Sequence, residues 1–85
     1  MAVLIKANGE ESVVTDLSLE NLQKLVDGYI EIVPTIDGRL LVLNEEGKII
    51  GLPKNPKATK LTNGIINQGD YIVGDVVVGT EEEID

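Results

Sequence analysis

The stretch "YIEIVPTIDGRLLVLNEEGKII", Tyr29–Ile50, decides the fold. It reads as three strands. Tyr29–Val33 alternates β-formers and stops at Pro34, which cannot donate to a ladder. Asp37-Gly38 turns the chain into a second strand, Arg39–Leu43. Asn44–Gly47 reads as a four-residue hairpin loop with Gly47 in the left-handed conformation, and Lys48–Ile50 returns as the third strand. Strands joined by such short loops pair antiparallel.

Toward the N-terminus, Val3–Lys6 and Ser12–Thr15 are two more β-rich runs. Asn8-Gly9 between them suits a type I′ turn, which needs positive φ at both central residues. The segment "DLSLENLQKLVDGY", Asp16–Tyr29, changes period. Ser18 is a helix N-cap, and Leu19, Leu22, Leu25 and Val26 share one helical face. Glu20 and Lys24 form a favourable i,i+4 pair, and Gly28 is placed to end the helix in a left-handed turn. The spacing predicts a helix over 19–27, packed on the sheet by those four apolar residues.

Toward the C-terminus, Gly51–Gly64 breaks the β pattern. Asn55 is a good N-cap, Pro56 suits the first helical position, Lys57–Leu61 makes one or two turns, and Asn63-Gly64 stops them. Tyr71–Gly79 is a last apolar strand, bulged at Gly74. The order ββαβββ, short helix, β predicts a small α+β domain with a mainly antiparallel sheet and one helix on one face. One domain is expected over residues 1–80, with 81–85 an acidic disordered tail.

The 85 residues are 42% hydrophobic, with two tyrosines and neither Phe nor Trp, so the core must be aliphatic. So small a core makes a homo-oligomer a reasonable expectation. The chain has no histidine and no cysteine. That removes imidazole bases, thiol nucleophiles and nearly every zinc or copper site, and no cofactor or catalytic activity is expected. The start lacks the basic region and long apolar core of a signal peptide, and no apolar run reaches the ~20 residues of a membrane span. A cytoplasmic protein with no membrane contact is the expectation. Glu45 and Glu46 are read as a solvated hairpin tip rather than a calcium loop, which needs oxygens at several set spacings. The tail acids Glu81, Glu82, Glu83 and Asp85 are too few to copy a phosphate array and are read as solubilising. Nucleic-acid binding is disfavoured by the net charge of −8 and the lack of aromatic platforms.

"LQKLVDGYIEIV", "LLVLNEEGKIIGLPKNP" and the late "IVGDVVVG" closely resemble the small proteins of the family called domain of unknown function 3846. The most specific parts are Gly28-Tyr29-Ile30-Glu31 and Asn44-Glu45-Glu46-Gly47-Lys48 followed by Gly51-Leu52-Pro53. Family members often read Gly-Gly-Tyr and Pro-Pro-Asn-Arg where this chain has Asp27-Gly28-Tyr29 and Pro53-Lys54-Asn55-Pro56. The resemblance implies a phage, prophage or plasmid origin and a bacterial host cytoplasm. It brings no activity, so no functional residue is carried over.

One window stands apart. Residues 47–69 hold Lys48, Lys54, Lys57 and Lys60 and no acid, while the rest of the chain carries a net charge of −12. Lys54, Lys57 and Lys60 recur every three residues, which would place them on one side of a turn or short helix. Asn55 and Thr59 add hydrogen-bonding groups, and free N–H groups after Asn55 would attract an anion. Lys48, Lys54, Asn55, Lys57, Thr59 and Lys60 are therefore the candidate binding residues. The plain alternative is a solvated loop whose lysines offset nearby carboxylates. The leading functional expectation is a non-enzymatic accessory protein of a mobile element that binds a host protein. The alternative is a binder of a phosphate-containing or nucleotide ligand through Lys54–Lys60.

Overall fold

The computed structural model describes residues 1–67 and 69–84; Gln68, within the basic window, and Asp85, at the end of the expected tail, lie outside them. Two hairpins form the sheet's flanks. In the first, β1 (Ala2–Ile5) pairs with β2 (Glu11–Val14). Its loop is not the expected type I′ turn, because only Gly9 has positive φ (96°). The Lys6 N–H donates to Glu10 O (2.8 Å) and the Gly9 N–H to Lys6 O (2.8 Å). This is a three-residue loop, a type I turn closed by a left-handed glycine. The second hairpin, β3 (Ile30–Pro34) with β4 (Leu40–Asn44), is built the same way. Thr35 N–H donates to Arg39 O (2.9 Å), Gly38 N–H to Thr35 O (3.2 Å), and Gly38 has φ 86°.

Helix α1 (Leu19–Val26) forms where the periodicity placed it, with the Ser18 hydroxyl accepting from Asn21 N–H (3.3 Å). Leu22 and Val26 are buried against the sheet and Leu25 partly so. Leu19 is 57% exposed, against expectation. Leu17, just ahead of the cap, packs on the same cluster as Leu22, in the positions of a hydrophobic staple. The helix ends on Asp27 (φ 64°), not Gly28. Gly28 N–H returns to Gln23 O (3.0 Å), and Asp27 N–H to Lys24 O (3.3 Å), a Schellman pair. Position 28 needs glycine for space: an added Cβ would lie 2.7 Å from Asn44 Nδ2. That buried amide donates to Val26 O (3.0 Å) and Asp27 O (3.0 Å), so β4 itself caps the helix.

The third strand of the opening stretch does not form. Residues 45–51 are consecutive turns, Ile49 is 82% exposed, and the left-handed glycine is Gly51 (φ 77°) rather than Gly47. The reason lies in the sheet. β4 has β3 on one edge and β5 (Val76–Gly79) on the other, so no edge remains for Lys48–Ile50 to pair with. Gly47 is required instead by a close approach, since a Cβ there would meet Val73 Cγ2 at 2.7 Å.

The sheet order is β2-β1-β5-β4-β3, entirely antiparallel. The strand expected from Tyr71 is shortened to Val76–Gly79: Gly74 turns left-handed (φ 78°), and Val73 makes only an isolated bridge to Lys54. Val77 faces α1 with Ala2, Leu4 and Val42. Val76 and Val78 face the opposite side with Ile5, Leu41 and Ala58, beneath α2 (Pro56–Leu61) and Ile72. Asn55 fixes this second layer. It is fully buried, and its Nδ2 donates to Ile5 O (3.0 Å) and Gly74 O (2.9 Å) while Oδ1 accepts from Ala58 N–H (3.1 Å).

Residues 81–84 of the expected disordered tail are instead part of the fold. Glu81–Ile84 forms one helical turn, α3, with Ile84 buried on the α1 side of the sheet beside Gly79 and Ala2. Thr80 and Glu83 make a reciprocal capping box: Glu83 N–H donates to Thr80 Oγ1 (3.3 Å) and Thr80 N–H to Glu83 Oε1 (3.0 Å). Ile84 anchors this acidic run on the sheet, and the Met1 ammonium pairs with Glu83 Oε1 (3.3 Å).

Two substitutions test this arrangement by denaturant melts. Leu22→Ala will cost about 2–5 kcal/mol and Leu19→Ala less than ~0.5 kcal/mol; equal costs would mean the helix presents another face. Asn55→Ala will cost roughly 2–4 kcal/mol, because it strands two carbonyls and an N–H in the interior. Asn55→Asp will do no better, since a carboxylate cannot donate to Ile5 O and Gly74 O.

Candidate functional site

The six residues singled out in the sequence do not form one site. Asn55 is consumed by the three internal bonds just described and is fully buried, so it cannot hold a ligand. Thr59 is likewise engaged. Its hydroxyl donates to Asn55 O (2.9 Å) and accepts from Ile72 N–H (2.9 Å). Two of the N–H groups expected to attract an anion are taken as well, Ala58 N–H by Asn55 Oδ1 and Thr59 N–H by Asn55 O (3.0 Å). Both residues build the α2 layer.

The four lysines divide into two pairs. Lys48 and Lys54 stand over the Tyr71 ring, with Nζ 4.7 and 4.6 Å from its centroid. Lys48 also pairs with the Asp70 carboxylate. That contact, helped by the Tyr71 N–H, holds the Asp70 carboxyl below its ordinary pKa. Lys54 is drawn here because it is bridged to Val73 in extended conformation before α2 begins. The expectation that Lys54 would share a face with Lys57 and Lys60 therefore fails.

Lys57 and Lys60, three apart on α2, line one groove of about 340 Å³ on the α2 side of the sheet. Its apolar walls are Val3, Ile5, Leu61 and Val78, and Arg39 and Glu11 join the lysines at its margins. Lys57 Nζ pairs with Glu11 Oε2 (2.9 Å) and donates to Gly9 O (2.7 Å). Arg39 pairs with Asp37 (2.7 Å), whose carboxyl is held well below the usual range, first by Arg39 and then by the Thr35 hydroxyl. Among the described residues Lys60 has no carboxylate partner. Three cations and one acid thus border an apolar floor on a chain of net charge −8.

Sequence reasoning missed Arg39, Glu11 and Val3, which the sheet brings to α2 from distant segments. Arg39 carried a faint signal as the only arginine in the chain. A larger cleft, of about 420 Å³, lies by the 62–70 loop, but the described residues lining it include Asp70 and no cation, the wrong sign for an anion site.

Among the described residues no cluster of His, Cys, Asp or Glu is placed to hold a metal ion, and no helix is long and apolar enough to cross a membrane. No curated protein and no solved structure matches the chain. A family model does match, that of the Domain of unknown function (DUF3846), over residues 1–85, and the protein belongs to that family.

Proposed function

We propose that this chain is a non-enzymatic accessory protein of a mobile element that binds a host protein, and that the contact is the groove between α2 and the sheet. The observation that carries the reading is the pairing of an apolar floor, Val3, Ile5, Leu61 and Val78, with the cations Lys57, Lys60 and Arg39. Such a surface suits a protein segment that mixes apolar and acidic side chains. Burial of one aliphatic side chain supplies about 1.5–3 kcal/mol, whereas each exposed ion pair adds only ~0.2–1 kcal/mol. The floor therefore supplies affinity and the cations supply selection and encounter rate. The lack of histidine and cysteine, and the mobile-element origin that the family resemblance implies, fit a binding role.

A second reading has its own observation. Lys48 and Lys54 hold two ammonium groups over one ring, with Asp70 on one of them. An anionic small molecule would take the place of that carboxylate.

The test is comparative capture from bacterial lysate by the parent, Lys57→Gln/Lys60→Gln and Lys48→Gln/Lys54→Gln, with quantitative mass spectrometry. A protein retained by the parent will bind the Lys57/Lys60 variant about two- to thirtyfold more weakly, from two lost exposed pairs. Its affinity will also depend less on salt. Melting of the variants will match the parent within about 1 kcal/mol. If only the Lys48/Lys54 variant differs, and heat-denatured parent releases a small anion, the second reading replaces the first.

A further inference from the structure

The two outer edges of the sheet are not equivalent. At β3, the Thr35–Arg39 and Tyr29–Glu45 backbone bonds bracket the hairpin. Alternation along an antiparallel pair then turns Glu31 and Val33 toward β4, and Ile30, Ile32 and Pro34 outward. Pro34 has no N–H to offer, so it blunts that edge. At β2, the Lys6–Glu10 bond fixes the opposite end of the same logic. Ser12 and Val14 face β1, and the N–H and C=O groups of Glu11 and Val13 point outward. This strand carries no proline, no lysine and no bulge. Its one acid is held by Lys57, and Val13 is 58% exposed on the groove side, directly beside Val3 of the groove floor.

We propose that the free edge of β2 accepts an extended acidic–apolar segment of the partner as a sixth strand, Glu11 and Val13 forming the backbone bonds and Lys57 meeting a carboxylate. The proposal rests on the groove reading and names the conformation in which the partner is held. A strand added there lies about 4.8 Å outside β2 and alternates its side chains. One set falls on the groove side, where an apolar residue covers Val13 and an acid reaches Lys57. Main-chain bonds give such contacts their affinity, and the alternate side chains give their selectivity. A second copy of the chain is the weaker candidate occupant, since each copy carries −8.

The probe is a fluorescein-labelled eight-residue peptide, Val-Thr-Asp-Thr-Val-Thr-Asp-Thr, which carries both Val and Asp on one strand face, with Lys in place of Asp as its charge control. Val13→Pro is the key variant, because it removes an outward donor and no bond to β1. The acidic peptide will shift the amide resonances of Glu11, Ser12, Val13 and Val14 in the parent, and Val13→Pro will weaken it at least tenfold. The lysine peptide will bind more weakly than the acidic one. Should Val13→Pro fold poorly, the parent with the acidic peptide N-methylated at alternate amides gives the same reading, and undiminished binding overturns the proposal. Resonance shifts confined to Lys57, Lys60 and Leu61, with Val13→Pro binding like the parent, overturn the added strand and leave the groove reading standing. Loss of binding in Val13→Pro but none in Lys57→Gln/Lys60→Gln supports the strand and removes the charged groove. No shift anywhere at millimolar peptide overturns both. A concentration-dependent dimer abolished by Val13→Pro assigns the edge to a second copy and overturns the partner strand.

Discussion

Val76, Val77 and Val78 have no solvent-facing side, and each is fully buried. Among the described residues β5 is the one strand shared by the two hairpins, pairing with β1 on one edge and β4 on the other. Without it the hairpins are separate two-stranded ribbons, which are marginal in water. Three consecutive valines suit this place because both faces of the strand must be apolar, and β-branched side chains fit a pleated surface. The arrangement has a kinetic consequence. The two hairpins close locally, while β5 must return from the far end of the chain to pair with β1, and long-range pairing is slow.

Burying that strand on both sides requires two covers, and each cover is tied down by one buried amide. Asn44, at the end of β4, donates to the last carbonyls of α1. Asn55, ahead of α2, holds carbonyls of β1 and of the turn at Gly74. Both side chains spend donors and acceptor inside the protein, and no buried side-chain polar atom is left without a partner among the described residues. Buried amides of this kind cost little when fully bonded and a great deal when one partner is lost. They fix where each cover sits, which apolar packing alone does only loosely.

Placing the second cover also settles the fate of the basic window. Its lysines do not form one cluster, and three of the four are held by protein partners while Lys60 is solvated. Lys48 and Lys54 close around Tyr71, and Lys57 ties α2 to the first hairpin loop. The remaining surface, where α2 is too short to roof the whole face, leaves the half-buried Val3 and Leu61 beside Lys57, Lys60 and Arg39. A basic margin on an acidic chain is thus a product of where the sheet ends and the short helix stops.

The sequence by itself determined what depends on near neighbours. Helix α1 and its Ser18 cap follow from local period and chemistry, as do the first two hairpins and the Asn55-Pro56 start of α2. The α+β class follows from them. The Thr80–Glu83 capping box follows a Thr-x-x-Glu pattern that the reading of 81–85 as an acidic tail passed over. The tertiary structure decided the rest. Lys48–Ile50 has the composition of a strand and is none, because β5 holds the edge it would need. Gly28 and Gly47 mark close approaches to Asn44 and Val73, which no local pattern encodes. Asn55 and Thr59 look like ligand-binding groups until their partners, Ile5, Gly74 and Ile72, are brought beside them. The groove was hidden for the same reason: Arg39, Val3, Lys57 and Val78 belong to four separate segments, and strand pairing alone makes them neighbours.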